Sequence, residues 1–209
     1  MFTPRREHAR FCSVCCRVTW NREKIGDPAA ETTALQWSIT AMSDATERLA
    51  RVRAWDQERG FAVIAEAVWW VTIVDATLVR HHLDTYDRVL AGHPEAEQRL
   101  IEETLAGLRF VRNRMGHDAD HVDVIKPGTR RPGRDGDRIT ASTWKPVPEP
   151  APGSLSARGQ AWEMTRYRAY QAQLAGHTIG ETFSRAAAFL SLTATKTAAI
   201  TKVSARTAS

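Results

Sequence analysis

The 209-residue chain is 43% hydrophobic and 25% charged, a balance that excludes wholesale disorder and suits one domain with a proper core. Its formal net charge of +5 tilts the choice of partner toward anions, nucleic acid among them. The three cysteines, Cys12, Cys15 and Cys16, crowd into five positions and cannot staple a core, so a disulfide scaffold is excluded and a reducing cytoplasm is the expected location.

Residues 1–33 read as a flexible arm. His8 joins the three cysteines as a conceivable zinc ligand set, but no second ligand pair follows at finger spacing, and no metal or other cofactor is expected. Residues 1–30 carry no sustained apolar segment of the kind a secretory signal needs. A helical bundle is then expected over residues 34–192. Leu35, Ile39, Met42, Ala45, Leu49 and Val52 recur at three- and four-residue steps and predict a first amphipathic helix, ended by Gly60.

Phe61 to Val79 is apolar almost all round, the mark of a helix buried on several sides. Glu66 and Asp75 interrupt it at a length already short for the ~20 residues of a membrane span, so no membrane association is expected. A carboxylate at Asp75 in such a helix needs a cation or several donors, and Arg112 is the first candidate partner; a solvent-facing position at a bundle seam is the alternative. Arg80, His81 and His82 close the segment, where cations complement a helix C-terminus.

Gly92-His93-Pro94 marks a turn, and the next helix runs from about Glu95 to Met115, antiparallel to the preceding one because the connection is short. Ile101, Leu105, Leu108, Arg112 and Met115 form its apolar stripe, which places Arg112 in a core-facing slot. Gly116 is the expected helix stop. Arg112 and His117 would stand roughly 140° apart on a continuous helix at ~100° per residue, so a break at Gly116 is what would bring them together.

Residues 126–155 read as a long loop holding six of the nine prolines. Lys126, Arg130, Arg131, Arg134, Arg138 and Lys145 stand there against Asp135 and Asp137, a local net charge of +4 able to track a phosphate backbone or simply to solvate the surface. Ile139 to Trp144 suggests a lone short strand. Trp162, Met164, Tyr167, Tyr170, Gln171 and Leu174 predict a helix up to Gly176, and Phe183, Ala187 and Leu190 a last one from Ile179 to about Leu192. Residues 193–209 read as a frayed tail. The expected class is all-α, an antiparallel bundle with a Pro/Gly/Arg-rich loop before its C-terminal helices.

Arg112-Asn113-Arg114-Met115-Gly116-His117 resembles the R-N-x-x-x-H form of the R-x(4–6)-H motif of the HEPN (higher eukaryotes and prokaryotes nucleotide-binding) superfamily, again behind an apolar helix in an all-α chain. The resemblance implies a homodimeric helical bundle whose paired motifs face one cleft and act as a metal-independent endoribonuclease. It puts Arg112, Asn113 and His117 in the catalytic roles, while local positive charge makes Arg114 and the loop cations Lys126, Arg130, Arg131, Arg134 and Arg138 the candidate RNA contacts. An imidazole titrating near ~6.5 suits proton transfer at a ribose 2′-hydroxyl or a leaving 5′-oxygen. A guanidinium suits bidentate stabilisation of the scissile phosphate, and an asparagine can orient either group. Attack by the 2′-hydroxyl leaves a 2′,3′-cyclic phosphate. A second His117 from a two-fold partner would separate the acid and base roles. An antitoxin or other regulatory partner fits such a nuclease.

Two other readings compete. His117 and His121, interleaved with Asp118, Asp120 and Asp123, have the four-residue spacing of a metal pair, although no glutamate of the HExxH type lies between them. A non-catalytic helical module, binding RNA, nucleotides or protein through its basic loop, needs no histidine chemistry at all.

Overall fold

The structure is a computed structural model that describes residues 28–53, 56–117, 124–132, 138–150 and 156–207, with the side chains of 28–31, 116–117, 138 and 200–207 excepted. His8 and the three cysteines lie outside the described residues, as do Asp118, Asp120, His121, Asp123, Arg134 and the side chain of Arg138. The chain divides into two compact units, Met1–Ala34 and Leu35–Ser209, and apart from the first residues of one helix the second holds the elements described below.

The fold is all-α in its framework. Six helices are described: α1 (Pro28–Arg51), α2 (Gln57–His81), α3 (Leu83–Ala91), α4 (Glu95–His117), α5 (Ala157–Gln173) and α6 (Ile179–Thr207). In α1, Leu35, Met42 and Ala45 are buried and Ile39 and Leu49 pack against the core, as the spacing predicts. Gly60 does not end this segment. It sits in the first turn of α2, whose N-terminus is capped by the Asp56 carboxylate accepting from the Arg59 amide at 3.2 Å. The first helix ends earlier, at Arg51, and the second begins at Gln57.

By length and composition α2 could cross a membrane, with a mean hydropathy of 1.7 over its most apolar window. Here Ile64, Ala67, Val68, Val71, Val74 and Leu78 are buried in the bundle core. Its partner α4 runs antiparallel: Asp75 meets Arg109 and Trp69 meets Arg112, so numbers fall along one helix as they rise along the other. Helix α5 is antiparallel to α4 in turn, since Glu103 bonds Gln173, Phe110 packs on Tyr167 and Tyr170, and Asn113 bonds Glu163.

The α4–α5 seam is tight because Gly107 has no side chain. A Cβ built there would lie 2.7 Å from a Leu174 methyl and 3.2 Å from the Tyr170 Cα, and the second contact is with backbone that cannot rotate away. Gly107→Val is expected to lower stability by about 1–3 kcal/mol through overpacking, a cost exceeding the fraction of a kcal/mol gained in helix propensity. Urea denaturation checks this; an unchanged midpoint would show that the seam can open at no cost.

Within residues 126–155, expected as a long loop with one short strand, the described residues form two small ladders. Ile125–Lys126 (β1) pairs antiparallel with Thr143–Trp144 (β4), and Arg130–Arg131 (β2) with Arg138–Ile139 (β3). The lone strand expected at Ile139–Trp144 thus contributes to two small ladders. What anchors them is Trp144, fully buried, with its Nε1 donating to Thr182 Oγ1 at 3.0 Å and its amide to the His177 carbonyl at 3.0 Å. Tyr170 donates to the Lys145 carbonyl, and Gln171 to that of Val147. The α5–α6 turn reciprocates: Gly176, at φ 81°, donates its amide to the Trp144 carbonyl at 2.8 Å.

Helix α6 likewise continues to Thr207, past the expected end near Leu192. Thr193 and Thr197 are buried, and each hydroxyl donates to the carbonyl four residues earlier, at 2.9 Å. Threonine there is satisfied within the helix and adds a methyl to the core, so the polar composition of the tail misleads.

Candidate functional site

Three helices turn cationic side chains toward one cavity of about 500 Å³. Its wall takes Thr72, Ile73, Ala76, Val79 and Arg80 from α2, Arg109, Arg112 and Asn113 from α4, and Trp162 and Arg166 from α5. Each set follows helical spacing: positions 72, 76 and 79–80 share a face of α2, 109 and 112–113 a face of α4, and 162 and 166 a face of α5. Antiparallel packing brings these faces together.

Four guanidiniums line the cavity, and two carboxylates lie beside them. Asp75 is completely buried and accepts from Arg109 Nε at 2.6 Å, with a second contact to Arg109 Nη2; the Tyr86 hydroxyl donates to its other oxygen at 3.2 Å. Burial pushes the Asp75 carboxyl above its ordinary value, against the pull of Arg109 and the Tyr86 hydroxyl. Burial also raises Tyr86, with the Asp75 charge adding to the effect. Glu163 accepts from Asn113 Nδ2 at 3.1 Å and stands 3.8 Å from Arg166. Burial lowers the Arg166 pKa, Glu163 opposes that, and the neighbouring charges of Arg109 and Arg112 add to the lowering. Arg80, Arg109, Arg112 and Arg166 against Asp75 and Glu163 leave a formal excess of +2 at the cavity. An anion entering there would relieve the mutual repulsion of the guanidiniums.

The expected Asp75–Arg112 pair is corrected: the partner is Arg109. The stripe leaves Leu108 through Val111, fully buried, which carries Arg112 about 100° round the helix and out of the core. Arg112 is exposed, stacked over the Trp69 ring with 5.0 Å between its Cζ and the ring centroid. Arg109, one position after Leu108, takes the flank that meets Asp75.

Gly116 does not stop α4, which runs through His117. Arg112 and His117 therefore occupy positions roughly 140° apart on one helix, whereas Asn113 and His117, four apart, share a face. The His117 side chain lies outside the described residues. Of the proposed RNA contacts, Arg114 is half-buried and Lys126, Arg130 and Arg131 are exposed, but none of these four lines the cavity. The metal reading has most of its ligands outside the described residues. Arg80, Arg109, Arg166 and Trp162 were not singled out by sequence for this site; the retrospective signal is the basic and aromatic spacing at 158, 162 and 166 on α5.

Compared with known proteins, the chain has no matching family model, no matching curated sequence and no matching solved structure.

Proposed function

We propose that the protein is a HEPN-like, metal-independent endoribonuclease that binds RNA phosphate in the arginine cavity and works as a homodimer in the cytoplasm. The observation that carries this reading is the convergence of Arg112 and Asn113 with Arg80, Arg109 and Arg166 around one cavity of about 500 Å³, room for a phosphate and the groups attached to it. Guanidinium forks match phosphate oxygens two at a time and stabilise charge that grows on them in a transition state. His117, one turn beyond Asn113 on α4, is assigned the proton transfers, with the second His117 supplied by the partner copy. The exposed cations Lys126, Arg130 and Arg131, with Arg134 and Arg138, track the flanking backbone of the RNA.

A specific observation favours a second reading, a non-catalytic RNA or nucleotide binder. Helix α4 is unbroken through His117, so the arginine and histidine of the motif do not share a face within one chain. In that case the cavity still holds phosphate and His117 contributes nothing.

RNA binding measured over a range of salt concentrations tests the shared premise. Arg112→Ala is expected to weaken binding of mixed-sequence RNA by roughly 10- to 100-fold, the worth of a charge-assisted contact. Reversing Arg130, Arg131 and Arg134 to glutamate is expected to flatten the slope of log affinity against log salt by up to about 2, at ~0.7 per phosphate contact on a single strand. Wild-type affinity and slope in both variants would remove RNA from the account.

A further inference from the structure

We propose that Trp162 is a platform on which an unpaired base stacks while the neighbouring phosphate enters the arginine cavity, making single-stranded RNA the ligand of this site. The inference rests on the RNA reading above and assigns the class of RNA.

Helix α5 treats its aromatics unequally. Tyr170 is fully buried and Tyr167 packs on Phe110, both holding the α4–α5 seam and the β segment. Trp162, two turns earlier, stands apart from the hydrophobic core, 57% exposed, on the wall of the cavity. An indole left that open on a helix surface forgoes most of the burial that favours a large apolar side chain. Its neighbours are cations: the Arg158 and Arg166 guanidinium carbons lie 5.5 and 5.9 Å from the ring centroid. With 57% of the residue accessible, those distances leave much of the indole surface for a further flat group.

Charge decides between the flat groups available. A second copy of this chain placed face to face on the Trp162 ring itself would bring Arg158 and Arg166 against their own equivalents, which is repulsive. A nucleotide brings a π face for the indole and an anion for the guanidiniums together. Arg166 serves both, since it lies over Trp162 and lines the cavity. Bases inside a duplex are already stacked and turned inward, so an indole beside a phosphate site selects unpaired strands.

The test uses short 5′-fluorescein-labelled 2′-O-methyl oligonucleotides, which lack the attacking hydroxyl, in a base-bearing and an abasic form with the same number of phosphates. Fluorescence anisotropy on the full chain is expected to show the base-bearing strand binding about 10- to 100-fold more tightly than the abasic one. Trp162→Ala should abolish that preference and Trp162→Phe should keep most of it, while Arg112→Ala should weaken both strands together. Equal affinity of wild type for the two strands, or a preference that survives Trp162→Ala, would overturn the platform and leave the RNA reading standing. Binding of neither strand would overturn both.

Discussion

Arg109→Leu is expected to lower the unfolding free energy by about 2–4 kcal/mol, the consequence of stripping the cation from a fully buried carboxylate whose partner is itself partly exposed. Asp75 is fully buried where α2 meets α3 and α4, and after the substitution it retains, among the described residues, the Tyr86 hydroxyl as its side-chain donor. Two further measurements separate this cause from simple loss of packing. Asp75→Asn in the Arg109→Leu background should recover much of the loss, because a neutral amide still accepts from Tyr86 and carries no charge to desolvate. The single variant should also regain stability in acid. Burial already raises the Asp75 pKa above 3.8 with Arg109 present, and without that guanidinium it rises further. The folded chain then keeps a proton that the unfolded chain has released, so stability falls as pH climbs from about 3.8 through the raised folded value. Denaturation midpoints at several pH values read this directly. A variant that loses less than about 1 kcal/mol, with no pH dependence of its own, would mean the pair contributes as little as a surface one.

His117→Ala is expected to slow RNA cleavage by about 10²- to 10⁴-fold, the usual contribution of a positioned acid or base. Position 117 ends α4 one turn beyond Asn113, so the substitution should leave the fold and the affinity for RNA near wild type. Loss of rate with retained binding is the signature of a group that acts in the transition state. If two copies of the imidazole serve as base and acid, the wild-type rate should also be bell-shaped in pH. A variant that cleaves at the wild-type rate would transfer the protein to the non-catalytic reading. Arg112→Ala should differ in kind, losing affinity as well as rate, because its guanidinium lines the cavity in the ground state.

Periodicity carried the framework into view. The stripes of α1 and α4 and the apolarity of α2 are local properties of three- and four-residue spacing, and Leu35, Met42, Ile64, Val71, Ile101, Leu105 and Leu108 do lie in the observed core, whereas Arg112 does not. The buried charge at Asp75 was legible too, since its demand for a cation follows from its neighbours alone. Which cation answers was not. Arg109 and Arg112 differ by one step of about 100°, and only the position of Val111 in the core decides between them. The short helix α3 lay unread although Leu83, Tyr86 and Leu90 have helical spacing, because the turn at Gly92 drew the boundary instead. The two ladders within residues 126–155 were not legible for a physical reason: they are anchored through Trp144 and side chains of α5 and α6, contacts made across 20 or more residues that no local pattern encodes. The cavity was hidden in the same way, its ten wall residues being drawn from three separate helices.

Incubating the protein with mixed-sequence RNA in excess EDTA, and identifying the new 3′ ends, tests the proposed chemistry most directly. The account predicts cleavage that survives chelation and leaves 2′,3′-cyclic phosphate ends, with the corresponding products lost in His117→Ala. Cleavage that EDTA abolishes, or that leaves 3′-hydroxyl ends, would contradict attack by the 2′-hydroxyl under the control of the Arg112, Asn113 and His117 motif.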